Sequence, residues 1–132
     1  MIVRIVVPSR VLAEWSEVSQ VQARGEEGSM GILPRRLDFT SPLVPGIVEA
    51  RMADGGRGYA AVDRGVLLKE GEEVTVATPR AVLGEDLGAL RKTVRKEFEA
   101  LDDREREARV ALARLEARMV RRFVEERRRR RT

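Results

Sequence analysis

Hydrophobic and polar residues alternate in short runs along the first two thirds of the chain. These runs cover residues 2–7, 18–23, 46–52, 59–62, 65–68 and 73–78, and turn-forming residues separate them. An alternation with a period of two buries one face of a strand, and turn signals at this spacing are typical of a β-sandwich or flattened barrel. Residues 54–56, Asp-Gly-Gly, are predicted to form a hairpin turn. No helical stretch lies between the strands, which argues against a parallel α/β fold.

The rest of the chain has helical periodicity. A first apolar stripe has members three or four residues apart: Leu87, Leu90, Val94, Phe98 and Leu101. This spacing places them on one face of a helix that begins near Asp86, a suitable N-cap residue. A second stripe follows: Ala108, Leu112, Leu115, Met119 and Phe123.

Asp102 and Asp103 separate the two stripes and form a helix start signal. We therefore expect an antiparallel two-helix hairpin. One continuous helix is the alternative, since no Gly or Pro interrupts this segment. The predicted fold class is α+β, with an N-terminal antiparallel β-sandwich over residues 1–84 and a C-terminal helical hairpin over residues 85–132. The narrow stripes make each helix marginally stable alone, which suits a segment that docks and releases.

The composition argues against an enzyme. The chain of 132 residues contains no Cys and no His. Disulfides and thiol chemistry are therefore excluded, and the usual acid–base catalyst is missing. The serines and threonines have no obvious activating base, and no apolar run is long enough to span a membrane. We expect no catalytic residue, no cofactor and no metal site.

Charge is divided unevenly along the chain. Residues 1–85 contain ten basic and twelve acidic side chains, whereas residues 86–132 contain sixteen basic and ten acidic ones. The net charge is −2 in the first part and +6 in the second, which agrees with +4 for the whole chain. A nearly neutral body with a basic tail indicates that the tail meets an acidic partner.

Turn-forming residues surround short apolar runs between residues 28 and 46. Residues 28–34 read Gly-Ser-Met-Gly-Ile-Leu-Pro, residues 45–46 are Pro-Gly, and residues 84–87 are Gly-Glu-Asp-Leu. This pattern resembles the epsilon subunit of rotary F-type ATP synthases along the whole chain. The resemblance implies a non-catalytic central-stalk subunit that transmits rotation of a membrane ion ring and restrains ATP hydrolysis through its hairpin. It implies the γ subunit, the ion ring and the catalytic β subunit as partners, and a peripheral position at the cytoplasmic face of the inner membrane.

The same resemblance implies an ion-ring contact. Family members usually carry Gly-His-Ala-Pro after the Leu-Pro, whereas residues 35–38 here are Arg-Arg-Leu-Asp. Two guanidinium groups on a rigid turn suit carboxylates or main-chain carbonyls of a partner loop, although a solvated loop is the alternative. The expected ring contacts are Ser29, Arg35, Arg36 and Leu37. With Arg-Arg-Leu-Asp at these positions, the chain resembles the epsilon subunit of the alternate F-type ATPases, which are associated with sodium transport. The choice of coupling ion does not reside in this chain.

The family's ATP-binding motif is degraded in this sequence. Many bacterial epsilon subunits carry Ile/Leu-Asp-x-x-Arg-Ala at the start of the first helix. The aligned residues keep Leu87 and Arg91 but have Gly88 in place of Asp and Lys92 in place of Ala. We therefore expect no ATP binding at physiological concentration.

The basic end of the chain is the third feature. In the family, basic residues of the second helix meet an acidic segment of the β subunit, and the residues expected to do so here are Arg118, Arg121 and Arg122. This contact should weaken with salt. For residues 127–131, all Arg, the partner contact and a solvated terminus stay equally open.

Two other classes of function remain open at this stage. The chain could be a β-sandwich binding module whose hairpin dimerises through Leu112 and Leu115. A nucleic-acid-binding accessory protein is the other alternative, because a basic helix can follow phosphates. Aromatic residues amount to 4% of the chain and Glu residues interleave with the Arg residues. We therefore expect no nucleic acid among the partners.

Overall fold

The computed structural model of the chain describes residues 1–131. It describes the side chains of residues 1–100, 103–122, 124–125 and 127. The chain divides into two compact units, the first from Met1 to Glu99 and the second from Ala100 onward.

Ten β-strands lie within the first unit. They are β1 (Ile2–Val7), β2 (Arg10–Trp15), β3 (Val18–Gly25), β4 (Gly28–Ile32), β5 (Phe39–Leu43), β6 (Gly46–Met52), β7 (Arg57–Val62), β8 (Gly65–Glu70), β9 (Glu73–Ala77) and β10 (Ala81–Leu83). Their order in the sheet is β10-β7-β6-β3-β5-β8-β9-β1-β2, with β4 paired to β3. Strands β1 and β9 run parallel, and the other pairs are antiparallel. The predicted N-terminal β-sandwich is confirmed, but the expectation that its strands are all antiparallel is wrong for β1 and β9.

The alternating residues of these strands meet in one hydrophobic core. Its buried members are Val3, Ile5, Val18, Val21, Ala23, Ile32, Leu43, Val48, Ala50, Ala60, Val62, Leu67, Val74 and Val76. A strand with a two-residue period can bury only one face, so these residues come from the inward face of each strand. In β8 the inward positions are Leu67 and Lys69, and both side chains are buried.

Residues 28–46 contain two strands joined by an exposed corner, although the alternating runs of the sequence did not include these strands. Strands β4 and β5 flank a loop of six residues, 33–38, which we call the corner loop. Both strands contain residues that are unfavourable in a strand, which makes them hard to recognise from the sequence. Strand β4 contains two glycines, and β5 contains Pro42, which cannot donate to a strand ladder. The predicted turn at residues 54–56 is confirmed. The Gly56 amide donates to the Asp54 carboxylate at 2.8 Å, and Gly55 has a φ of 91°.

A helical segment completes the first unit. It consists of α1 (Leu87–Thr93) and a π-helical segment (Val94–Glu99). The predicted N-cap is confirmed, because the Asp86 carboxylate accepts from the amides of Gly88 at 2.9 Å and Ala89 at 3.4 Å. Its inner face contributes Leu90, Val94 and Phe98 to a buried cluster that also contains Ala61 of β7. Ile47 and Tyr59 pack against this cluster. The helical segment therefore covers the outer side of β6 and β7.

The second unit is one helix, α2 (Ala100–Arg131). No turn separates it from the π-helical segment, and Asp102 and Asp103 lie inside helical structure. The predicted two-helix hairpin is therefore not confirmed. The sequence explains why the helix continues. Asp102 can begin a helix, but no Gly or Pro lies before it to end the preceding one. Large apolar side chains on α2 are exposed, including Leu112, Leu115 and Met119.

We predict that Phe98→Ala releases the helical segment from the sheet. Phe98 is 2% exposed, and loss of a buried phenyl ring typically costs about 3–5 kcal/mol. Hydrogen exchange should accelerate at the amides of residues 87–99, while the amides of the sandwich core stay protected. Glu97→Ala is the matched control, because Glu97 is exposed in the same segment and its loss should change stability by less than about 0.5 kcal/mol. Unchanged protection of residues 87–99 in Phe98→Ala would contradict this packing.

Candidate functional site

The corner loop is held as a tight turn at the edge of the sandwich. The Arg36 amide donates to the Leu33 carbonyl at 3.1 Å, and Pro34 occupies the second position of this turn, where its fixed φ is favoured. The Leu37 side chain beyond the turn is 87% exposed. An apolar side chain held this far into solvent is suited to a partner pocket.

A buried lysine supports the corner loop from beneath. The Lys69 amine donates to the carbonyls of Arg36 at 2.6 Å and Gly71 at 2.7 Å. The Gly71 amide in turn donates to the Asp38 carboxylate at 2.7 Å. Sequence reasoning missed Lys69 and Asp38. The signal for Lys69 was its inward position in β8, two residues after the buried Leu67.

The two arginines of the corner loop have different environments. Arg36 Nη1 donates to the Gly31 carbonyl at 3.2 Å, and its guanidinium lies 4.3 Å from the centre of the Phe39 ring. This is cation–π distance. Arg35 is exposed and makes no hydrogen bond or ion pair with another described residue. The structure therefore uses Arg36 within the loop and leaves the Arg35 guanidinium available.

Ser29 lies beside the corner loop. It pairs with Arg24 across the β3–β4 ladder, and it lines an open cavity of about 500 Å³ together with Arg36 and Phe39. The acidic side chains of Glu26 and Glu27 line the same cavity. The structure thus brings Ser29 and Arg36 together, with Arg35 and Leu37 on the adjoining loop.

A second cavity, of about 600 Å³, lies between the helical segment and strands β3, β4 and β6. The arginines that line it are Arg24, Arg91 and Arg95. Arg24 Nη1 lies 3.8 Å from a carboxylate oxygen of Glu99, and both side chains are partly exposed to solvent, so the pair is weak. Of the degraded motif, Arg91 lines this cavity, Leu87 is half-buried, Lys92 is exposed and Gly88 contributes no side chain.

The residues that the sequence predicts to contact the β subunit lie on α2. Arg118, Arg121 and Arg122 are exposed, and their spacing of three and four residues places them on one helix face. Of the terminal arginines, Arg127 is exposed, and the side chains of residues 128–131 lie outside the described part of the structure.

The described part of the chain contains neither a membrane-spanning helix nor a cluster of metal ligands. None of the helices in this part of the chain is long and apolar enough to cross a membrane. Over the same residues, no group of His, Cys, Asp and Glu side chains could hold a metal ion.

Comparison with known proteins identifies the family. Residues 1–84 match the family model of the ATP synthase delta/epsilon chain β-sandwich domain. The chain is 34% identical to ATP synthase epsilon chain 2 of Paraburkholderia xenovorans over 121 residues, which cover 91% of this chain and 87% of that protein. It is 32% identical to ATP synthase epsilon chain 2 of Cereibacter sphaeroides, covering 89% of this chain and 82% of that protein.

Solved structures agree in fold. A chain of the Euglena gracilis mitochondrial ATP synthase superposes with a TM-score of 0.57 at 22% identity, covering 69% of this chain and 59% of that one. A chain of the Tetrahymena thermophila mitochondrial ATP synthase gives 0.52 at 18% identity, covering 62% and 65%.

The family model and the relatives together define the class of protein, a non-catalytic subunit of a rotary ATP synthase. The chain belongs to the delta/epsilon family of ATP synthase subunits. Within that family its place is that of an F-type epsilon chain of the central stalk, as the sequence pattern predicted.

Proposed function

We propose that the chain couples rotation of a membrane ion ring to the catalytic head of its ATP synthase. The observation that carries this proposal is the corner loop, which presents Arg35 and the 87% exposed Leu37 from a rigid sandwich. A rigid body is needed because a flexible contact would absorb rotation instead of transmitting it. The proposed partners are the ion ring, the γ shaft and the catalytic β subunit. The proposed location is the cytoplasmic face of the inner membrane, where the chain is held by the complex.

The ring contact is proposed to be made by the corner loop and Ser29. The Arg35 guanidinium would donate to carboxylates or main-chain carbonyls of a polar ring loop, and Leu37 would provide an apolar anchor. Arg36 would add positive charge to the contact while it holds the loop. The solved structures of similar fold support the choice of partner, since both belong to assemblies that include a c-ring.

The chain is proposed to divide in function at residues 84 and 85. Residues 1–84 would clamp γ and the ring, and residues 85–132 would regulate hydrolysis. In the regulatory part, α2 exposes Leu112, Leu115 and Met119 along one stripe. Such a stripe is costly to leave in water, which favours a docked state. We propose two states of similar free energy, an antiparallel hairpin in which α2 folds back and an extended helix along γ.

In the extended state, α2 is proposed to restrain ATP hydrolysis. Arg118, Arg121 and Arg122 form one exposed basic face that would meet an acidic segment of the β subunit. Exposed charge pairs of this kind are screened by salt, so the restraint should weaken as ionic strength rises.

We predict that the full chain inhibits ATP hydrolysis by the cognate catalytic head with γ, whereas a chain ending at Glu99 binds without inhibiting. This end point keeps the first compact unit whole. Arg118→Gln, Arg121→Gln and Arg122→Gln together should raise the half-inhibitory concentration about tenfold, because three charge contacts are lost. The charge-matched control is Arg106→Gln, Arg109→Gln and Arg127→Gln, which removes the same charge from the other side of the helix and should inhibit like the parent.

Equal inhibition by the full chain and the shortened chain would contradict the regulatory role of α2. Binding by neither chain would contradict the proposed clamp on γ. Loss of inhibition in both triple variants would show that inhibition depends on the net charge of α2 and not on the face formed by Arg118, Arg121 and Arg122.

We propose that the chain does not bind ATP. Arg91 lines a cavity with Arg24 and Arg95, so positive charge for a phosphate is present. The carboxylate that the family motif supplies is absent at Gly88, and the small residue of the motif is replaced by Lys92.

Calorimetric titration should therefore show no saturable site for ATP at millimolar concentration. The control variant carries Gly88→Asp with Lys92→Ala, which restores the motif and should bind more tightly than the parent. A saturable site in the parent chain that disappears in Arg91→Ala would contradict the prediction. Absence of binding in the restored variant would show that other residues decide nucleotide recognition.

A further inference from the structure

Lys69 is buried among apolar side chains although it carries an amine. The residue is 1% exposed and shares the inward face of β8 with Leu67. A buried amine costs free energy unless it is hydrogen-bonded, and an apolar side chain of similar length could fill the same space without that cost. Both hydrogen bonds of Lys69 go to loop carbonyls, those of Arg36 and Gly71. The side chain therefore serves the loops rather than the core.

Lys69 joins two loops that are far apart in sequence. One is the corner loop, and the other is the turn between β8 and β9. Gly71 in that turn has a φ of 56°, a left-handed conformation that favours glycine. Its carbonyl accepts from Lys69, and its amide donates to the Asp38 carboxylate at 2.7 Å. Three hydrogen bonds thus connect the two loops at both ends of residues 36–38.

Arg36 fixes the other side of the corner loop. Its guanidinium donates to the Gly31 carbonyl of β4 at 3.2 Å and stacks on Phe39 of β5. We call Lys69, Asp38 and Arg36 the brace. Leu37 lies between Arg36 and Asp38, and Arg35 directly precedes Arg36. Neither side chain bonds to another described side chain.

We propose that Lys69 and Asp38 are positioning residues, which hold the corner loop in the conformation that presents Arg35 and Leu37 to the ion ring. This inference rests on the proposed ring contact. A loop that is ordered before binding does not lose its conformational entropy at the interface, so the contact is tighter for the same side chains. The brace also keeps Leu37 extended, whereas a released loop could fold this side chain back onto the sandwich.

The test compares paired variants of the full chain. Lys69→Met keeps the length of the buried side chain and removes both donors, and Lys96→Met makes the same replacement at an exposed helical position. Asp38→Ala removes the acceptor for Gly71, whereas Asp38→Asn keeps an acceptor oxygen. Because Asp38 is exposed, its variants keep the sandwich core intact.

Two readouts separate positioning from folding. The first is amide hydrogen exchange in the isolated chain, followed at Arg36 and Gly71. We expect about tenfold faster exchange at these amides in Lys69→Met and Asp38→Ala, the factor for loss of about one hydrogen bond. The second is affinity for membranes that contain the cognate ATP synthase depleted of its epsilon chain, which should fall about tenfold in the same two variants. Lys96→Met and Asp38→Asn should match the parent in both readouts.

The outcomes distinguish this inference from the proposed function. If the amides of Arg36 and Gly71 exchange at the parent rate in Lys69→Met and Asp38→Ala, then these residues do not hold the corner loop. That result overturns the inference whatever the membrane affinity. Faster exchange with unchanged affinity overturns its role in docking. Failure of the parent chain to bind the depleted membranes contradicts the ring contact itself and removes the docking role with it. Faster exchange in every amide of the sandwich would show that Lys69 stabilises the fold as a whole and would also overturn the inference.

Discussion

The structure depends on the one-sided burial of its short strands. No strand of the first unit exceeds eight residues, and each can remove only one row of side chains from water. The strands therefore assemble into one sheet that folds over a shared core, from Val3 at the first strand to Val76 at the ninth. Closure of this core fixes the ends of the strands, and the loops between them become defined points on a rigid body. The corner loop is one of these points.

The second unit follows different physics. Helix α2 has no described large apolar side chain in the buried class, and several of them, including Leu112 and Met119, are more than half exposed. Its helicity therefore depends on local propensity and on pairs such as Glu105 with Arg109 at 4.0 Å, each worth about 0.2–0.5 kcal/mol. A helix that is weakly held can change its docking surface at small cost, which is the property that a regulatory element needs.

Much of the fold could be predicted from periodicity and turn chemistry. Strand β6 alternates throughout, and Asp86 caps its helix with side-chain bonds that the sequence signal describes. Strand β5 was missed because Pro42 reads as a breaker, and pairing with β8 outweighs that local preference. The hairpin expectation relied on a start signal at Asp102. A start signal cannot end the preceding helix, and the structure continues through it.

The candidate site was only partly predictable. The exposed corner follows from the glycines and prolines around residues 28–46, but the different environments of Arg35 and Arg36 do not. Those environments depend on contacts to Gly31 and Phe39, which pairing of distant strands creates. Lys69 acts on Arg36 from a strand 33 residues away. The alternation of residues in β8 could show that Lys69 is a charged residue at an inward position, but it could not identify the carbonyls to which Lys69 donates.

Site-directed cross-linking of Leu37 tests the central claim most directly. The chain has no Cys, so Leu37→Cys introduces a unique thiol at the corner. In the assembled ATP synthase, a short thiol-reactive photo-cross-linker at this thiol should join the chain to a subunit of the ion ring. ATP-driven ion pumping should survive the cross-link, because both parts turn together. Val11→Cys, at an exposed position on β2, should give no ring product. A Leu37→Cys product with a stationary subunit, or a ring product that stops pumping, would contradict the account.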